Sequence, residues 1–146
     1  MNAPVPGLYM RRAQYAALPS AAGAARRETA HTLKEWGLLE LIETAELVAT
    51  ELISNAVKAT GIVVEQPAYT ALHGLQTIVL QLQLVQGLLQ ILVWDGDPRP
   101  PILRDAGPMS EGGRGLHLVA ALSKRWGYYW AESGKVVWSE LPPAGG

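Results

Sequence analysis

The chain has 146 residues, 49% of them apolar and 17% charged, with a net charge of -1 and no cysteine. That length and composition suit one domain with a single sizeable core and exclude a disordered chain. The near-zero charge gives no electrostatic basis for binding nucleic acid or an anionic membrane surface, and the lack of thiols excludes disulfides, thiolate metal sites and cysteine nucleophiles.

The opening "MNAPVPGLYMRR" carries its charges after a broken apolar patch, the wrong order for a secretory leader, so a reducing cytoplasm is the expected compartment. "LYMRRAQYAALP" reads as a first strand. "SAAGAARRETAHTLKEWG" reads as a helix, with Ser20 as its expected N-cap and Gly37 as its stop. A second helix is expected through "LLELIETAELVATELISNAVKAT", where Leu41, Ala45, Val48, Leu52 and Ala56 form an apolar stripe and Gly61 ends the run. In "TIVLQLQLVQGLLQILVWDGD", Ile78, Leu80, Leu82 and Leu84 alternate with Val79, Gln81, Gln83 and Val85. That period of two predicts a hairpin turning at Gln86 and Gly87 and delivering Asp95 at its end. No membrane span is expected in this stretch, because glutamines and a glycine interrupt it.

From "DPRPP" to "SEGG" the chain is a loop of about fifteen residues, longer than compact domains usually keep without a functional reason. "RGLHLVAALSKRWG" follows as a helix opened by glycines, and "YYWAES" and "KVVWSEL", separated by Gly134, close as a hairpin before an unstructured tail over 142–146. Trp94, Trp126, Trp130 and Trp138 sit mainly in strand-like segments, where core packing is the expected role. Locally paired strands with helices between them predict an α+β fold, with the helices on one face of the sheet.

Three groups of residues have the chemistry for a site. Glu51 and Asn55 lie four residues apart on one helix face, with Lys58 one step further round. A positioned glutamate is a general base, an amide oxygen is a hard ligand for magnesium, and a lysine is a point charge for phosphate. Asp95 ends an apolar strand and precedes Gly96, where backbone can approach a ligand closely. Its carboxylate can accept a hydrogen bond from an exocyclic amino group such as adenine's. Gly112, Gly113 and Gly115 lead into a helix whose free amides and dipole favour phosphate, with Arg114 and Leu116 beside them. Each group has an ordinary reading too: a solvated helix face, an Asp-Gly turn, a glycine-rich loop. Asp97 before Pro98 reads as a turn residue. His31, His73 and His117 have no metal-ligand spacing.

In this order, with the long loop between the second and third groups, the set resembles the N box and the two glycine boxes of the ATPase domain shared by gyrase, histidine kinases and MutL. Within that superfamily the chain looks most like the stand-alone anti-sigma factor serine/threonine kinases and their actinobacterial ATP-binding relatives. The resemblance runs from "AARRETAHTLKEWGL" to "GKVVWSEL", and "GGRGLHLVAAL" followed by "RWG" is its most specific part. It implies a two-layer α/β sandwich over about residues 8–141, with a mixed, mainly antiparallel sheet and a mobile lid over Pro98–Glu111.

By position in the motifs, it implies Glu51 as general base, Asn55 as magnesium ligand and Asp95 as partner of the adenine amino group. Gly96, Gly112, Gly113, Arg114, Gly115 and Leu116 would then line the nucleotide, with Lys58 in a basic position of the N box. The implied cofactors are ATP and Mg2+. The implied partners are a sigma factor or similar regulator and an anti-anti-sigma-type substrate protein, with no direct nucleic acid and no membrane; related kinases also dimerise. A non-catalytic nucleotide-binding module acting by sequestration is the alternative. The chain departs from the pattern where the first glycine box has glycines two and four residues after its aspartate. Asp97 and Arg99 stand there, which predicts an altered adenine end.

Overall fold

A computed structural model gives the fold of residues 9–60, 75–101 and 114–143, with backbone alone for Arg114 and Gly115. The elements in order are strand β1 (Met10–Ala16), helix α1 (Ser20–Glu35), a 3-10 turn (Leu39–Leu41), helix α2 (Ile42–Thr60) and strands β2 (Thr77–Val85) and β3 (Leu88–Asp95). Helix α3 (Arg114–Leu122) and strands β4 (Arg125–Ala131) and β5 (Gly134–Glu140) complete it. The strands form one sheet in the order β1-β2-β3-β5-β4, and every pairing is antiparallel. The expected α+β fold, with helices on one face of the sheet, is what the chain adopts.

The alternation in β2 and β3 works as the sequence implies. Ile78, Leu80, Leu82, Leu89, Ile91 and Val93 are buried beneath α2, whose Ala45, Val48, Ala49, Leu52, Ile53 and Ala56 meet them. Gln86 and Gly87 both have positive φ, 53° and 82°, and Val85 pairs with Leu88. These angles fit the two-residue turn whose twist matches its strands.

Gly37 stops α1 as expected. With φ of 74° it lets its own amide reach the Lys34 carbonyl (3.2 Å) while the Leu38 amide reaches that of Leu33 (2.9 Å). This is the paired closure of a Schellman motif. Ser20 does not cap the helix: it is already the first helical residue, Pro19 holds the N-cap position, and no side chain bonds there. A backbone bond from the Ala21 amide to the Leu18 carbonyl (2.9 Å) satisfies one of the free donors instead.

The third helix is shorter than its sequence suggests. It ends at Leu122, and "RWG" belongs to β4. Ser123 explains the stop. Its hydroxyl bonds the Val119 carbonyl (2.5 Å) and Ser139 Oγ on β5 (2.6 Å), and the next amide, of Lys124, bonds the Glu140 carbonyl (2.7 Å). The chain is thereby drawn into the sheet. Gly134 is correspondingly the first residue of β5 and not a separator. The tryptophans also differ from expectation: Trp126 packs on the core, Trp94 and Trp138 lie half-buried on the sheet face away from it, and Trp130 is 61% exposed on edge strand β4.

That outer face carries a run of polar side chains across all five strands. Arg12 Nη2 donates to Gln81 Oε1 (2.9 Å), Gln81 Nε2 to Gln83 Oε1 (2.6 Å) and Gln83 Nε2 to Gln90 Oε1 (2.7 Å). Gln90 Nε2 then donates to Glu140 Oε2 (2.9 Å), which Arg125 grips with two bonds of 3.0 Å from the far edge. Most of these are direct cross-strand neighbours, so satisfying the amides also holds the register. No helix among the described residues is long and apolar enough to cross a membrane. Gly61, most of the loop from Pro98 to Glu111, and the last three tail residues lie outside the described residues.

Candidate functional site

A cavity of about 320 Å³ opens between α2 and the ends of β3 and β5, within the range that ligand pockets occupy. Helix α2 supplies Leu52, Asn55, Ala56, Lys58 and Ala59; Val93 and Asp95 come from β3, Val137 and Lys135 from β5, and Leu116 from α3. Asp97, Arg99, Pro100 and Pro101 close the side where the chain leaves β3. The walls are mainly apolar, with a few polar groups at fixed places.

The least exposed polar groups of the lining are Asp95, 3% exposed, and Lys135, 4%. Asp95 Oδ1 accepts from Lys135 Nζ (3.0 Å) and from the Asp97 amide (2.8 Å), and the same ammonium donates to the Asp97 carbonyl (2.9 Å). Burial pushes the Asp95 carboxyl above its ordinary value, while the bonds from Lys135 and the Asp97 amide pull against it. Lys135 sits on the inward-facing row of β5 with Val137 and Ser139. Sequence reasoning missed it, because "KVVWSEL" has no clean alternation. The signal was there in principle: a lysine two residues before a buried valine on the same strand face.

Asp97 is the turn residue its sequence suggests. Its carboxylate accepts from the Arg99 amide (3.0 Å) and from the Arg99 guanidinium (2.9–3.1 Å), and the guanidinium holds that carboxyl below its ordinary value. Neither Asp97 nor Arg99 has positive φ, so replacing glycine at these two positions imposes no backbone strain. In place of the two glycines the chain forms an ordered turn closed by Asp97 and Arg99. Trp130 Nε1 adds a bond to the Pro98 carbonyl (2.9 Å).

Of the predicted residues, Asn55, Lys58, Asp95 and Leu116 come together on the cavity wall. Glu51 is half-buried one turn before Asn55 and is not among the described lining residues. Gly96 faces elsewhere: a Cβ there would meet Gln76 Oε1 at 3.2 Å and Trp94 at 3.8 Å. Gly112 and Gly113, and the side chain of Arg114, lie outside the described residues, while the backbone of Arg114 and Gly115 opens α3.

The family model for the histidine kinase-like ATPase domain matches residues 15–140, from the end of β1 to the end of β5. The chain belongs to that family. No curated protein matches it. As a histidine kinase-like ATPase domain the chain is an ATP-binding protein, and its five-stranded antiparallel sheet with helices on one side is consistent with that membership. In this ATPase domain one observation bears on a metal. Asn55 Nδ2 is buried with no hydrogen-bond partner among the described residues. The amide therefore has capacity to spare: Nδ2 can donate to a phosphate oxygen, and Oδ1 is a hard oxygen suited to magnesium. The residues present fit a hydrated magnesium held beside phosphate.

Proposed function

We propose that this ATPase domain is a regulatory protein serine/threonine kinase of the anti-sigma factor type. In this reading it works in the cytoplasm, binds a sigma factor or similar regulator, and transfers the γ-phosphate of ATP to an antagonist protein. The observation that carries it is the cavity, with buried Asp95 at one side and, on α2, the Asn55 amide nitrogen that has no partner among the described residues. Asp95 takes the amino group of adenine, and Val93, Ala56, Leu52 and Val137 enclose the ring. Asn55 holds magnesium and Lys58 faces the phosphates. Gly115, in the first turn of α3, offers its backbone amide to the same groups, and Gly113 is the second glycine proposed to line them.

Glu51 accepts the proton of the attacking hydroxyl, one helical turn from Asn55. Magnesium, when bound, supplies neutralisation of charge on the transferring phosphoryl group. Melting the protein with and without Mg·ATP tests this reading. Ligand at about a hundred times its dissociation constant adds roughly 2.7 kcal/mol, several degrees for a domain of this size. Asp95→Asn is expected to remove the shift. A wild type that does not shift at all would remove the main support for a nucleotide in this cavity.

A second reading is favoured by the position of Glu51 outside the described lining: a nucleotide-binding module that acts by sequestration without phosphoryl transfer. Glu51→Gln separates the two. A kinase loses transfer and keeps the Mg·ATP shift, whereas a sequestering module loses nothing.

A further inference from the structure

Lys135 is buried at the base of the cavity with a proton to spare. Its side chain is 5% exposed, that of Asp95 4%. An ammonium carries three N–H donors, and two are accounted for, by Asp95 Oδ1 and the Asp97 carbonyl. Asp95, for its part, accepts both of its bonds on Oδ1, which leaves Oδ2 without a partner among the described residues. The wall therefore presents a free acceptor and a free donor side by side, held there by each other and by the Asp97 backbone.

We propose that Lys135 donates to the ring nitrogen next to the amino group of the bound base, making it a specificity-determining residue for a 6-aminopurine. The inference rests on the reading of this cavity as the nucleotide site and adds the residue that reads the second atom of the base edge. An amino group beside an unprotonated ring nitrogen is the complement of Oδ2 beside Nζ–H. A 6-oxopurine in the same pose sets its carbonyl against the carboxylate and its ring N–H against the ammonium. To repair both contacts it has to shift along a wall of Val93, Ala56 and Val137. The fixed turn at Asp97 prevents the pair from moving to follow it, because the Lys135 ammonium is tied to both Asp95 and the Asp97 carbonyl. Burial makes the mismatch costly, since neither group can turn to water instead.

The test compares ATP with 1-deaza-ATP, which lacks only that ring nitrogen, by calorimetric titration of the wild-type chain. The expected result is binding weaker by about tenfold for 1-deaza-ATP, the loss of one charge-assisted hydrogen bond. Lys135→Met is expected to bind the two nucleotides equally. Should that variant not fold, titration of the wild type with inosine triphosphate keeps the test: the 6-oxopurine sets itself against both groups and is expected to bind more weakly than 1-deaza-ATP, and binding equal to that of ATP overturns the proposal. Equal affinities in the wild type overturn the proposal, leaving Lys135 as support for Asp95 alone; so does discrimination that persists without Lys135. A wild type that binds neither nucleotide overturns the nucleotide site itself, an outcome distinct from tight but indifferent binding.

Discussion

Replacing Gly134 with alanine is the most informative single change outside the cavity lining. A Cβ at this position would stand 2.0 Å from the Asp95 carbonyl oxygen and 3.0 Å from both its carbonyl carbon and the Cα of Gly96. These are backbone atoms of the neighbouring strand, so no side chain can swing aside. Relief requires β3 and β5 to part by at least 1.0 Å, from 2.0 Å to the 3.0 Å below which real Cβ contacts essentially never fall. The separation occurs at the Asp95–Lys135 pair of the ladder, where the buried ion pair bridges the same two strands. Losing the partner of a buried charge costs about 3–5 kcal/mol, a large part of the 5–15 kcal/mol that stabilises a typical domain. At roughly 3 °C per kcal/mol for this length, the melting temperature falls by about 10–15 °C. Urea denaturation measures the loss, with Gly96→Ala as control, since its Cβ meets the movable tip of Gln76 at 3.2 Å. A loss below about 1 kcal/mol in Gly134→Ala, or equal losses in the two variants, refutes the reasoning.

Three further outcomes are expected. Lys135→Met costs about 3–5 kcal/mol by stranding Asp95, and adding Asp95→Asn restores part of it; a denaturation cycle giving additive effects would rule out the ion pair as a stabilising unit. The Arg125 guanidinium, with help from Gln90, holds the Glu140 carboxyl below its ordinary 4.5. Its stabilisation is therefore complete above that value and lost as pH falls through the lowered folded value. Glu140→Gln makes the acid limb of a stability-pH curve shallower, and an unchanged limb contradicts the assignment. Gln86→Asn, at φ of 53°, gains about 0.5–1 kcal/mol because asparagine tolerates the left-handed region better. A lower melting temperature for this variant would show that Gln86 has a role beyond the turn.

Much of the architecture was legible because its signals are local. The period of two in β2 and β3, the glutamine-glycine turn and the glycine stop of α1 need no knowledge of distant residues. The end of α3 was not legible, because a bond from Ser123 to Ser139 and the pairing of Arg125 with Glu140 outweigh a sequence that reads as helix to Gly127. The same holds within the cavity. Asp95 and Asn55 stand out as polar residues in apolar runs, but Lys135 acquires its meaning only when β5 is laid beside β3. Gly134 likewise looks like a turn glycine until the Asp95 backbone is seen against it. Trp130 resembles its half-buried counterparts in sequence, and its exposure at the far end of β4, on the strand where Trp126 packs on the core, is not written in its local pattern.

The polar run across the outer face has a direction. Arg12 can only donate and the Glu140 carboxylate can only accept, so the three glutamines between them all turn their nitrogens the same way. Their dipoles consequently align from one edge of the sheet toward the carboxylate, each polarising the next. The orientation of the central amides is thus decided by residues at the ends of the run. Exchanging the sign of either end reverses what every interior glutamine must present to its neighbour. A substitution in β1 is in this way felt electrically in β5, three strands away, without any backbone atom having moved.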